Sequence, residues 1–208
     1  VAAFSLYSWS ANLSLNIARE IKDHHPNCLT VFGGGSVPHH PTKFMEEHPF
    51  IDVCVRGEGE LPFAELLVRN LSSRDFSGIP QLSWRNGSTI TVNNGEHPFE
   101  RDLDSMPSPY TGGLFDQLIS DNPQLSFQAI LETNRGCPFK CTFCATHFHW
   151  NKTIRRMSRK LLVDWLEKLS IDYGIHDFRF YDDIFTIPYS GMIEFCEEVL
   201  KRKLKNIK

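Results

Sequence analysis

The chain has 208 residues, 41% of them hydrophobic and 23% charged, a composition that lets a globular protein bury a core without covalent staples. A formal net charge of −3 supplies no attraction to nucleic acid or to an anionic membrane, and the longest apolar runs fall well short of the about 18 residues a membrane span needs. Six cysteines are present, three of them crowded into the eight residues Cys137 to Cys144. That spacing argues against a secreted disulfide framework and for a reducing cytoplasm.

The first half alternates strand and helix. "VAAFSLYSW" predicts a strand, with Ser10 placed to cap the helix that follows. In "ANLSLNIAREIKDHH", Leu13, Ile17, Ala18 and Ile21 recur at helical spacing. "LTVFGGG" (29–35) and "IDVCVRG" (51–57) predict two more strands, with short helices at "TKFMEEH" and "LPFAELLVRNL". This order implies a parallel sheet with crossover helices. The pattern then changes. "QLSWRNGSTITVNNGE" (81–96) alternates about Asn86-Gly87 and predicts a hairpin. Residues 97–126, rich in proline and glycine, predict a linker.

A second strand–helix series begins near Phe127: "FQAILETN", the cysteine loop, an amphipathic helix over 158–174, a strand at "DFRFYDD" (177–183) and a helix from Ser190. The chain opens directly on a strand and closes just past a helix that should feed another strand, the pattern expected of a piece of a longer protein. The expected architecture is α/β, with residues 1–75 a Rossmann-like unit, 76–125 a hairpin and linker, and 126–208 the start of a (βα) partial barrel.

Three thiolates in one short loop leave a tetrahedral zinc site incomplete, though His147 and His149 are near enough in sequence to supply a fourth ligand. A [4Fe–4S] cube held by three cysteines keeps one iron open, which is a catalytic design. Cys137-x3-Cys141-x-Phe143-Cys144, within "ETNRGCPFKCTFC", resembles the signature of radical S-adenosylmethionine (SAM) enzymes. That resemblance implies that Cys137, Cys141 and Cys144 hold a [4Fe–4S] cluster, that SAM chelates the open iron, and that Phe143 contacts the adenine. It also implies that the end of the next strand, here Asp182 and Asp183, meets the SAM amino group, with Asp182 favoured. Arg155 and Arg156 read either as contacts to the SAM carboxylate or, preferentially, as a solvated basic pair.

Residues 1–72, including "FGGGSVP" and "RGEGE", resemble the cobalamin-binding domain that precedes the radical domain in a large class of these enzymes. The likeness implies that Ser5 and Tyr7 stand at a serine turn beside the cofactor's nucleotide tail, and that Gly33, Gly34 and Gly35 form a loop that lets backbone approach it. The Asp-x-His-x-x-Gly motif that supplies a cobalt ligand in many cobalamin domains does not occur in this sequence. The chain is thus expected to be an enzyme, a cobalamin-dependent radical SAM methyltransferase or cyclase. It would act on a small-molecule or peptide substrate, with an electron donor such as flavodoxin or ferredoxin and no nucleic-acid or membrane partner. The alternatives are a radical SAM enzyme without bound cobalamin, or a non-catalytic zinc or iron–sulfur module.

Overall fold

The computed structural model describes residues 1–95, 102–144, 154–205 and 207–208. The chain divides into two compact units, Val1–Phe99 and Glu100–Lys208.

The first unit is built on a five-stranded sheet in the order β1 (Ala2–Ser5), β2 (Thr30–Gly33), β3 (Val53–Val55), β4 (Leu82–Asn86), β5 (Thr89–Val92). β1, β2 and β3 run parallel, joined by α1 (Ala11–His24) and α2 (Thr42–Glu47). After α3 (Glu60–Ser72) the hairpin β4–β5 adds antiparallel to β3, with Val53 opposite Trp84. The middle strands are apolar without alternation because both their faces are covered. Val31, Val53 and Val55 pack with Leu66, Ile79 and Leu82 on one side, while Phe32 and Cys54 pack with Leu6, Ala18 and Met45 on the other. Burial pushes the Cys54 thiol up to about 12, against the opposing pull of Arg56 and Arg85.

The predicted strands are present but shorter, each ending where its chain turns into a loop. The hairpin turn falls at Gly87-Ser88, between the paired Asn86 and Thr89, and Gly87 takes the positive φ of 60° that this tight loop requires. The expectation for Ser10 is corrected. It occupies the N-cap position of α1 but makes no cap hydrogen bond; its hydroxyl instead donates back to the carbonyls of Ser5 (3.2 Å) and Tyr7 (3.4 Å). The preceding turn, not the helix, uses that side chain.

In the second unit β6 (Gln128–Leu131) pairs in parallel with β9 (Asp177–Phe180), in the register Gln128↔Asp177 to Leu131↔Phe180. The crossover helix α5 (Arg159–Asp172) buries Leu162, Leu166 and Leu169 against Ala129 and Leu131. Its N-cap Ser158 accepts from the Leu161 N–H, and Gly174 follows its end with a φ of 62°. α6 (Tyr189–Lys201) packs against this core through Phe195. Lys208 lies along β9, donating to the His176 carbonyl and accepting from the Phe178 N–H.

Part of the predicted linker is structured. It contains a 3-10 turn at Leu103–Ser105, with Leu103 buried, and the short helix α4 (Asp116–Asp121). The Tyr110 hydroxyl donates to the Ile130 carbonyl (2.8 Å) and accepts from the Ile130 N–H (3.1 Å), satisfying the backbone of β6 on its open edge.

Candidate functional site

The cysteines sit on a loop whose two stems are paired. β7 (Asn134–Arg135) runs antiparallel to β8 (Arg155–Arg156), and Met157 N–H donates to the Thr133 carbonyl at 2.9 Å. The stems are buried although they are polar: Thr133 and Asn134 are 0% exposed, Arg155 5% and Arg159 4%. Buried polar groups are costly unless they are hydrogen-bonded. Residues 182–187, which follow β9, supply several of those partners.

Asp182 Oδ1 accepts from the backbone N–H of Thr133 (2.5 Å) and of Asn134 (2.9 Å), and its Oδ2 accepts from the Thr133 hydroxyl at 2.5 Å. Asn134 Nδ2 donates to the Ile184 carbonyl (3.0 Å), and Gly136 N–H to Asp183 Oδ2 (3.3 Å). On the returning stem, Arg156 Nε donates to the Ile187 carbonyl at 3.0 Å. Arg159, in the first turn of α5, donates to Thr133 Oγ1 at 3.4 Å and lies over the Phe185 ring at 5.1 Å. The solvated reading of Arg155 and Arg156 is therefore corrected. Arg155 is buried, and Arg156 is half-buried with a carbonyl partner and its pKa lowered, first by desolvation and then by Arg159.

Beyond the stems the loop turns outward. Cys137 and Cys144 are half-buried and Cys141 is exposed; none is in a disulfide. The Cys144 N–H donates to the Cys141 carbonyl at 3.0 Å, so the chain turns between the last two cysteines. Phe143 between them is 90% exposed and Phe139 is 54% exposed. Among the described residues no three His, Cys, Asp or Glu side chains are gathered closely enough to hold a metal ion. The donor chemistry nevertheless suits an iron–sulfur cube: three thiols on one loop, beside an aromatic ring with no cover of its own. His147 and His149, the zinc alternative's fourth ligand, lie outside the described residues.

The first unit brings its predicted residues together at the C-terminal ends of its parallel strands. Ser5 closes β1 directly opposite Gly33, which closes β2. The two loops beyond are joined by backbone hydrogen bonds, Leu6 N–H to Gly33 O (2.6 Å) and Ser36 N–H to Leu6 O (3.0 Å). Gly34, with a φ of 98°, is both strained and cramped for any side chain, since a Cβ would lie 3.1 Å from both the N and the O of Leu6. Gly33 is different, its Cβ position meeting nothing closer than the Val55 carbonyl at 3.9 Å. Ser5 and Gly35 are exposed, and Tyr7 stacks on the 82%-exposed Trp9, ring centroids 4.8 Å apart. Bare backbone beside a hydroxyl, at the carboxyl ends of parallel strands, suits a nucleotide-like tail.

Reading the sequence missed three contributors. Thr133 and Asn134 are visible only as two polar residues ending an apolar strand. Arg56, in "RGEGE", is a latch: its guanidinium donates to the carbonyls of Gln81 (3.2 Å), His39 (3.3 Å) and Asn93 (2.8 Å). At the Gly57 after it, with a φ of 66°, a Cβ would lie 3.1 Å from Gln81 Nε2.

The family model for the B12 binding domain matches residues 1–67. The chain is 38% identical over 170 residues to the cobalamin-dependent radical SAM methyltransferase TokK of Streptomyces tokunonensis, covering 80% of this chain and 25% of that protein. It is 34% identical over 198 residues to the anaerobic magnesium-protoporphyrin IX monomethyl ester cyclase of Cereibacter sphaeroides, covering 93% of this chain and 31% of that one. The chain belongs to the cobalamin-binding-domain radical SAM family. Among solved structures, the fold of OxsB, a cobalamin-dependent SAM radical enzyme with aqua-cobalamin and SAM bound, covers 99% of this chain and 29% of its own, with a TM-score of 0.74 and 22% identity. The chain thus spans about a quarter to a third of the length of these family members. Among its described residues no helix is long and apolar enough to cross a membrane.

Proposed function

We propose that the protein is a cobalamin-dependent radical SAM enzyme and that this chain carries the residues that hold its cofactors. The observation that carries the reading is the cysteine loop: three thiols and an exposed phenylalanine raised on stems that are buried, paired and braced. Cys137, Cys141 and Cys144 would ligate three irons of a [4Fe–4S] cluster, SAM would take the fourth, and Phe143 would cover the adenine. Ser5, Tyr7 and Gly33–Gly35 would receive the nucleotide tail of cobalamin. When bound, the cluster would supply the electron for reductive cleavage of SAM to a 5′-deoxyadenosyl radical, and cobalamin a transferable methyl group or assistance to a radical ring closure. The share of these residues is to bind, orient and shield.

TokK is named as a methyltransferase and the Cereibacter sphaeroides relative as a cyclase, so both outcomes stand for a small-molecule or peptide substrate. A cytoplasmic setting and a flavodoxin- or ferredoxin-type electron donor are part of the same proposal, since the cluster works reduced. Anaerobic reconstitution of the intact protein tests it. The expected result is a cubane cluster whose reduced EPR signal changes on adding SAM, with cobalamin retained through purification. Stoichiometric zinc and no response to SAM would sink the enzyme reading. A SAM-responsive cluster without retained cobalamin would leave a radical SAM enzyme that does not use B12.

A further inference from the structure

We infer that Asp182 is a positioning residue: it fixes the outgoing stem of the cysteine loop, and it is not the SAM ammonium ligand at this strand end. The inference deepens the proposed function and rests on it for the identity of the cluster, whereas the brace itself stands on the fold.

Register carries the argument. β6 and β9 pair from Gln128↔Asp177 to Leu131↔Phe180, and the Tyr181 N–H still donates to the Leu131 carbonyl at 2.8 Å. Continuing that register sets Asp182 beside Thr133. There the two backbones leave each other, and the ladder loses its carbonyl acceptors. The Asp182 side chain takes their place, with one oxygen accepting two successive N–H groups and the other accepting the Thr133 hydroxyl. The donors come from two residues that are 0% exposed, so no water substitutes for the carboxylate. An ionised acceptor makes short, strong bonds of this kind.

The brace also reaches the other stem. Thr133, held by Asp182 through its N–H and hydroxyl, accepts through its carbonyl from Met157 and through Oγ1 from Arg159. One carboxylate thereby ties β9, the outgoing stem and the start of α5 to a single residue four positions before Cys137. A SAM ammonium group would have to compete with three donors already in place.

The test is Asp182→Asn in the intact protein, read in two ways. In cluster-free protein, hydrogen exchange at residues 133–136 should quicken about tenfold, the scale expected for losing one charge-assisted bond, with α5 unchanged. After anaerobic reconstitution, iron and sulfide per chain should fall several-fold and the reduced cluster's EPR signal should broaden. The SAM concentration that shifts the signal of the cluster that does form should stay within about twofold of wild type. Unchanged exchange at 133–136 would overturn the inference. So would normal cluster content with a SAM requirement raised about tenfold or more, which would make Asp182 a SAM ligand. If α5 also exchanges faster, Thr133→Val, which removes the hydroxyl's bonds to Asp182 and Arg159 and keeps both N–H bonds to the carboxylate, is read at residues 133–136 by the same measurements at smaller amplitude. A wild-type protein that takes up no cubane cluster would end the cofactor reading, and the exchange result would still judge the brace.

Discussion

Both units place their candidate site beyond the carboxyl ends of parallel strands, but they fix those loops to their sheets by different means. In the first unit the loops after β1 and β2 are joined backbone to backbone, and glycine is favoured at position 34 by its positive φ and by the Leu6 main chain crowding the place of a side chain. In the second unit the stems pair with each other through backbone but are fastened to the segment after β9 through side chains, with Asp182, Asn134 and Thr133 standing where the β6–β9 ladder has run out. The difference follows from what each loop offers. A surface that presents bare backbone to a ligand is best built from residues without side chains. A loop that presents three thiols needs its side chains for chemistry, so its stems must be fixed from outside.

The largest expected effect tests the second unit's function. Cys141→Ala should abolish SAM cleavage and leave at most a three-iron or partial cluster, seen by EPR and iron content; an intact SAM-cleaving cube would remove Cys141 from the ligand set. Next comes the first unit's dependence on glycine. Gly34→Val should destabilise the fold by about 1–3 kcal/mol, through positive φ and contact with Leu6, and should cost cobalamin binding with it. Gly33→Ala should leave the thermal midpoint nearly unchanged and lower cobalamin retention alone. Equal effects of the two substitutions would break the distinction between a packing glycine and a ligand-facing one.

The next effect is confined to stability, at Arg56, a side-chain brace of the first unit. Arg56→Ala removes donors to three carbonyls and should cost about 1.5–3 kcal/mol in denaturant unfolding, with cluster loading unaffected. The smallest is at Cys54. With its thiol pushed up to about 12, it should resist alkylation at about pH 8 while the exposed Cys196 reacts. Folding retains the proton on Cys54, so its contribution to stability is complete below the unfolded thiol's pKa and is lost as pH rises from there toward about 12. Cys54→Val should remove that alkaline loss, measured as the pH dependence of the unfolding midpoint.

Much of this was legible in the sequence because it is local. The alternation of strands and helices, the hairpin around Gly87 and the three-thiol loop are each written within a short stretch, in hydrophobic period, turn residues and spacing. Strand ends and caps were less legible. Ser10 occupies a cap position, but the turn before it competes for its hydroxyl, and nothing nearby in sequence says which wins. The linker hid Tyr110, whose role depends on the edge of β6 being open.

The sequence by itself determined the chemistry on offer: three thiols with an aromatic between them, a glycine loop after a buried strand, and a carboxylate pair at the end of another. Only the tertiary structure decided what each of these does. Asp182 and Asp183 are adjacent in the chain, yet one braces Thr133 and Asn134, 49 and 48 residues away, and the other accepts from Gly136, 47 residues away. Register between β6 and β9 makes that assignment. A periodic pattern can predict that two strands exist; which side chain stands where their ladder ends depends on how they are aligned.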